Sequence, residues 1–404
     1  MVQLQYRLPT LIPQPSKATT ISTSTLPNGL TVITEDAGTS STVTLTYPKA
    51  GSANEMVHEQ GAAYLNKHMN FKSGSGISTL AINRTIEDEG GTPITVVDRY
   101  GATLGFTVAP EKALGLIPLL ATDCSFEKWD VRDAKEAAAK ESNIANESAQ
   151  IVLTENLHAA AYGPQSPAGR PLYGVTCSND VLKSFRARTY GLNGAILAAT
   201  GVKDHAAFCT EAANLLSESP LGNADPAAPI TYLGGESRVS APSSGYAHIA
   251  LGFAGPASSV VSDVVVQYLS LAGMEVGVSG FATKGLVGVY AGSESTSSII
   301  DSMVATVKGA ASPALIKRAK NLAKAEALFA LDGGSKSMAG VLTASVLNAS
   351  VVASATEVSN AYDAVTDKQV TDALSAMLKC NISLAAVGDI SLVPYQATVS
   401  AMLK

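Results

Sequence analysis

The chain has 404 residues, too many for one hydrophobic core and enough for two domains of about 200 residues each. Charged residues make up only 15% of it against about 25% in ordinary globular chains, while AVILMFWYC residues reach 46%. With 28 Lys+Arg against 34 Asp+Glu the net charge is −6, which excludes nucleic acid as the leading partner because the basic footprint is missing. So little charge for so large a surface predicts that neighbouring subunits cover part of it. The longest apolar runs, such as Ala113 to Ala121, fall short of the roughly 20 residues that span a bilayer, so the chain is expected to have no transmembrane helix of its own. Cys124, Cys177, Cys209 and Cys380 lie far apart without a C-x-x-C pair, which predicts free thiols in a reducing compartment. The sequons at Asn83, Asn146, Asn348 and Asn381 are read as chance.

Residues 1–20 contain Arg7, Lys17 and several Ser/Thr, with no acid before Glu35, the composition of an N-terminal arm or targeting remnant. Two β-rich runs follow, Leu30 to Glu35 and one from Val43, predicted to lie in one sheet. Ser52 with Glu55 reads as a capping box, and Gly61, Leu65 and Met69 share one face of the helix that follows. A further helix ends at Gly90-Gly91. A strand pair joined through Arg99-Tyr100-Gly101 comes next, then a long helical region from Pro110 to Tyr162, stopped by Gly163-Pro164. A helix at Asn179 to Arg188, a strand at Ala195 to Thr200 and a helix from Asp204 to Ser217 close the first half, 21–217.

The segment 218–235 is rich in Pro, Gly and small polar residues and reads as a linker. The second half, 236–404, repeats the element order of the first. Leu197-Ala-Ala-Thr-Gly201 echoes Leu384-Ala-Ala-Val-Gly388, each near the end of its half, which points to a duplication. Gly74-Ser-Gly76 and Gly277-Val-Ser-Gly280 read as loop glycines. No Walker loop, G-x-G-x-x-G or G-x-S-x-G is present, so nucleotide and serine-hydrolase chemistry have no support.

Leu26-Pro-Asn-Gly-Leu30, then Ala50-Gly-Ser52 with Glu55, then the helix from Gly61 to His68, resemble the start of the pitrilysin/insulinase-type peptidases, a family that includes the mitochondrial processing peptidase subunits. Active members carry H-x-x-E-H on that helix, two imidazoles for Zn²⁺ and a glutamate that takes a proton from the attacking water. Here the motif reads Tyr64-Leu-Asn-Lys67-His68. A phenol is a poor ligand at neutral pH and an ammonium repels the metal, so catalytic and metal roles are expected to be absent. The family's third ligand falls on Glu141, which is expected to pair with Lys67. His68 reads as a packed helix residue, and His58, His158, His205 and His248 have no partner at ligand spacing. For His158 a helix-end hydrogen bond is expected, and for Trp129 a place in the core.

Phe126-Glu-Lys-Trp129-Asp-Val131, Glu155-Asn-Leu-His-Ala-Ala-Ala-Tyr162, and Glu87 with Gly90-Gly91 resemble the core-subunit branch of this family, found in mitochondrial ubiquinol-cytochrome c reductase, complex III. Gly169-Arg170-Pro171 and Gly174 resemble a Gly-Arg loop kept elsewhere in the superfamily. The resemblance implies an α+β fold of two tandem processing-peptidase-like domains. Each would be a mixed, mostly antiparallel sheet with helices packed on one face, the two facing each other across a cavity. It also implies a non-catalytic structural subunit, peripheral to the mitochondrial inner membrane on the matrix side. Its partners would be a core 1-like subunit, cytochrome b and cytochrome c₁ within a complex III dimer, with haems and iron–sulfur cluster in other subunits and no cofactor in this chain. The alternative is the α-type subunit of the processing peptidase, which binds presequences for a zinc-bearing partner. That subunit carries a long glycine-rich loop, and Ala272 to Tyr290 has no such run here.

Overall fold

The computed structural model describes residues 20–38, 40–74, 76–121, 123–174, 176–222, 230–241, 245–309, 311–348 and 354–404. All but the last residue of the expected N-terminal arm, and the middle of the expected linker, lie outside the described residues. In the first half the elements are β1 (Ile21–Thr25), β2 (Thr31–Glu35), β3 (Ser41–Tyr47), α1 (Ala62–Met69), α2 (Thr79–Asp88), β4 (Thr92–Val97) and β5 (Ala102–Val108), followed by α3 (Ala113–Leu116), α4 (Lys128–Glu147), α5 (Ala149–Tyr162), α6 (Asn179–Thr189), β6 (Ile196–Ala199) and α7 (His205–Leu215). The second half holds β7 (Gly235–Ser240), β8 (Ala247–Ala254), α8 (Ser259–Gly273), β9 (Val278–Thr283), β10 (Leu286–Ser293), α9 (Thr296–Lys308), α10 (Pro313–Asp332), α11 (Ser335–Leu347), α12 (Ala355–Asp363), α13 (Asp367–Lys379), β11 (Ser383–Gly388) and α14 (Gln396–Leu403).

The strands form two sheets, ordered β1-β2-β6-β3-β5-β4 and β7-β11-β8-β10-β9. The echoed segments occupy equivalent places. β6 runs parallel to β2 and antiparallel to β3, and β11 runs parallel to β7 and antiparallel to β8. Leu197 faces Leu45 across its pair and Leu384 faces Leu251. Each echo ends in a glycine of positive φ, Gly201 at +73° and Gly388 at +109°. At Gly388 a Cβ would meet the Tyr246 carbonyl oxygen at 2.1 Å, so only glycine fits this turn. Apart from the additional strand β1, the sheets repeat one topology, mixed and mostly antiparallel.

Each sheet packs its own helices on one face. Leu45, Leu104, Phe106, Leu65 and Phe185 form the first core, and Leu251, Phe253, Val289, Leu269 and Met303 the second. The opposite faces are covered by exchange. α5, from the first half, lies on the second sheet, where Leu153, Leu157 and Ala161 join Ala250, Leu286 and Ala385. α11, from the second half, lies on the first sheet, where Met338 and Leu342 join Ile33, Ile196 and Ala198. Hydrogen bonds fix both. The Ala161 carbonyl accepts from the Leu233 and Gly234 N–H groups at 2.8 and 3.1 Å, and Thr42 Oγ1 meets Ser335 Oγ at 2.9 Å. His158 makes its expected hydrogen bond, 3.1 Å from Nε2 to Thr283 Oγ1 across the halves. Burial, with Arg99 nearby, pushes this imidazole down to about 3, so it is neutral.

Several expectations are corrected. The Ser52–Glu55 capping box does not form: the Ser52 hydroxyl has no hydrogen bond, and Glu55 instead accepts from the N–H groups of Gly61 and Ala63, at 3.1 and 2.8 Å, at the start of α1. The region from Pro110 to Tyr162 is broken before Lys128 and again at Ser148, where the chain leaves one sheet for the other. Gly277-Val-Ser-Gly280 is not all loop, because β9 begins at Val278, and Gly280 lets that strand lie against α8, where a Cβ would stand 2.3 Å from the Val266 carbonyl oxygen. Trp129 is 57% exposed, since α4 buries Val131, Ala134 and Ala138 on a different side. Among the described residues one single helical segment, Ser259–Val276, is long and apolar enough to cross a membrane. It presents Val264, Val265, Tyr268 and Leu269 to the second core. All four cysteines are free.

The exchange makes the two sheets one cooperative unit. Leu157→Ala, at a side chain 1% exposed, is expected to cost about 2–5 kcal/mol and to shift a single unfolding transition, read by calorimetry. Two separated transitions, with only one displaced, would contradict the coupling.

Candidate functional site

α1 is short, and its frame is set at its N-terminus. Gly61 adopts φ +85°, which turns the chain into the helix, while the Glu55 carboxylate binds the first free N–H groups. Burial pushes the Glu55 carboxyl up to about 7, opposed by those two N–H bonds and by nearby Arg170. Arg170, from the loop after α5, donates through Nη1 to the Glu55 carbonyl. Glu155 on α5 holds the same loop, accepting from Arg99 at 2.7 Å and from the Leu172 N–H at 2.8 Å. Thus the Gly-Arg loop braces the helix that carries the motif, a role that its sequence did not reveal.

The structure brings Tyr64, Lys67, His68 and Glu141 together. Glu141 reaches across from α4, and its Oε2 accepts from Lys67 Nζ at 2.6 Å and from Tyr64 OH at 2.7 Å. His68 Nε2 stands 3.4 Å from the same oxygen, outside hydrogen-bonding geometry. The Tyr64 ring is buried and packs edge-on against Tyr173, with centroids 5.2 Å apart, a neighbour that sequence reading missed. The Lys67 ammonium lies 5.3 Å from the Tyr64 centroid.

The electrostatics follow from this contact. Desolvation favours the neutral Glu141 carboxyl, but the hydrogen bonds from Lys67 and Tyr64 outweigh it and hold the group below the ordinary carboxylate range. Burial lowers His68, with Glu141 opposing, and burial together with Glu141 raises Tyr64 far above an ordinary phenol. These residues do not fit a zinc ion. Tyr64, where the resemblance puts the first ligand, donates a hydrogen bond to the Glu141 carboxylate, and the Lys67 ammonium sits where it puts the general base. No group of three or more His, Cys, Asp or Glu side chains that could hold a metal ion occurs among the described residues.

Tyr64, Lys67 and Glu141 line one wall of an open groove of about 380 Å³, with Thr95 to Val97 of β4 and Ile144 of α4 on its other walls. β4 ends its sheet, so an extended segment can pair with its outer edge.

The Glu141 contact is expected to contribute modestly, because the carboxylate is 46% exposed, and to depend on pH in one direction. A carboxyl lowered in the folded state adds stability above its unfolded value and loses it as pH falls through the folded value. Glu141→Gln should therefore lower stability by up to about 1 kcal/mol at neutral pH, with the difference from the parent chain vanishing in acid. Urea titrations across pH measure it, and an undiminished difference in acid would refute the charge pairing.

Residues 31–175 match the sequence model of the family described as Insulinase (Peptidase family M16). Among curated proteins, mitochondrial-processing peptidase subunit alpha-2 of Dictyostelium discoideum is 29% identical over 258 residues, covering 60% of this chain and 56% of that protein. Mitochondrial-processing peptidase subunit beta of Lentinula edodes is 25% identical over 419 residues, covering 91% of this chain and 90% of that protein. The match thus spans little more than half of the first relative and most of the second. In the structure of complex III2 from Candida albicans with Inz-5 bound, one chain superposes with a TM-score of 0.80 at 18% identity, covering 95% of this chain and 100% of that one. Residues 31–175 therefore carry a peptidase-M16-like domain, and the chain as a whole has the α+β fold of two tandem peptidase-like domains.

Proposed function

We propose that this chain is a non-catalytic core subunit of mitochondrial complex III, of the core protein 2 type, on the matrix side of the inner membrane. The observation that carries the loss of catalysis is the occupied carboxylate: Glu141 Oε2 is bound by Lys67 and Tyr64 where active relatives need a metal ligand. The shared fold with a chain of the Candida albicans complex III2 structure supports the assembly. On this reading the partners are a core 1-like subunit, cytochrome b and cytochrome c₁, within a complex III dimer. Haems and iron–sulfur cluster belong to those other subunits. Large apolar side chains on the surface, including Trp129 at 57% and Phe329 and Leu392 at 72% exposure, support a chain that works with its surface partly covered. We further propose 21–217 and 236–404 as the two domains, joined by 218–235, after an N-terminal arm.

The second reading is the α-type subunit of a processing peptidase, favoured by the alpha-2 relative at 29% identity. Against it stands the segment from Ala272 to Tyr290, where that subunit type has its glycine-rich loop. Here β9 and β10 pair in register from Val278↔Ala291 to Thr283↔Leu286.

Native purification from mitochondria through a tag on this chain separates the readings. Recovery of cytochrome b and cytochrome c₁, without presequence cleavage, is expected. A soluble heterodimer that cleaves presequences would establish the second reading instead. The site itself is tested by Tyr64→His combined with Lys67→Glu, which restores H-x-x-E-H opposite Glu141. Metal analysis should find about one zinc per chain in this variant and only traces in the parent. Stoichiometric zinc in the parent would overturn the inactive reading.

A further inference from the structure

A second cavity, of about 300 Å³, lies away from the Glu141 groove and shares none of its lining residues. It is walled by Leu120, Ala121 and residues 123–126, by α6 and by Ser219-Pro220. We propose that it binds a small anion, a carboxylate or phosphate carried on an aromatic or short apolar body.

The charge is placed by α6. Lys183, Arg186 and Tyr190 recur at intervals of three and four residues, so they lie along one side of the helix and its C-cap, and all three line the cavity. Neither Lys183 nor Arg186 makes an ion pair among the described residues, although most buried or clustered charges find one. Arg186 is held in place without being neutralised. Its Nη1 donates to Asn70 Oδ1 at 3.0 Å, and its guanidinium stacks 4.4 Å from the Tyr190 centroid, which leaves further N–H donors of a planar fork for an anion. The Lys183 ammonium stands 5.9 Å from the ring of Phe126, a residue held at φ +53°. Asp123 lies on the same rim, so the three charged groups leave one net positive charge.

The floor is aromatic and aliphatic. Tyr47 and Tyr190 pack with centroids 4.8 Å apart, and Leu120 and Leu192 complete the lining. Tyr190 is only 7% exposed, and its hydroxyl is buried beside Asn70. Size, aromatic walls and a few converging polar groups are the features of a small-molecule site.

The test titrates the full-length chain with benzoate, phenyl phosphate and the neutral isostere benzyl alcohol, using calorimetry or ligand-observed NMR. Saturable binding of benzoate or phenyl phosphate is expected, with benzyl alcohol weaker by about tenfold or more. Preference for one anion over the other assigns the site to carboxylates or to phosphates. Lys183→Met, at an exposed side chain, and Arg186→Met should each weaken the anion by about tenfold while leaving benzyl alcohol unchanged. Failure of both anions to saturate, equal binding of benzyl alcohol, or unaltered anion affinity in both methionine variants would overturn the proposal.

Discussion

The constraint on which the rest of the molecule depends is that each sheet has two apolar faces and only one set of its own helices to cover them. β3 is buried along its whole length and β11 likewise, so neither sheet can leave a face in water without exposing a large apolar area. Exchange of α5 and α11 solves this for both sheets at once. It also determines local geometry. The chain must leave the first sheet at Ser148, so α4 and α5 are separate helices, and α4 alone carries Glu141 toward α1. The return loop after α5 then brings Arg170 to Glu55 and Tyr173 to Tyr64.

At the centre of the candidate site, one carboxylate oxygen takes an ammonium and a phenol as its donors. Direct hydrogen bonds at 2.6 and 2.7 Å neutralise and orient Glu141 between two helices. Lys67 and Tyr64 reach Glu141 across 74 and 77 residues of sequence. Either alone would leave the carboxylate less well satisfied, so they are best understood as one unit.

Much of this was legible from residue patterns. The duplication could be read from the Leu-Ala-Ala-x-Gly echo because a central strand buried on both faces admits few side chains, and the glycine after it is fixed by a positive φ. Glu141 could be placed opposite Lys67 because the family resemblance puts the third ligand there, and a carboxylate facing an ammonium favours a pair. What stayed hidden depended on tertiary choice. β9 contains Gly280, which weakens a strand signal locally and makes sense only against α8. Trp129 looked like core because tryptophan is large and apolar, but helical phase relative to Val131 and Ala134 decides the matter. The Ser52–Glu55 spacing satisfied a local rule, yet Glu55 found a better use at the start of the next helix.

The helix exchange also bears on how such a chain arose. α4 and α10 are each 20 residues long, each is followed at once by the helix that crosses over, and the crossings are reciprocal. Contacts of that kind, made by the same element in both directions, are those of an isologous two-fold pair. A single unit of about half this length would have one sheet face bare, and two copies would cover each other. The present chain thus makes within one polypeptide the kind of contact that an isologous dimer makes between two, so its closure does not depend on concentration.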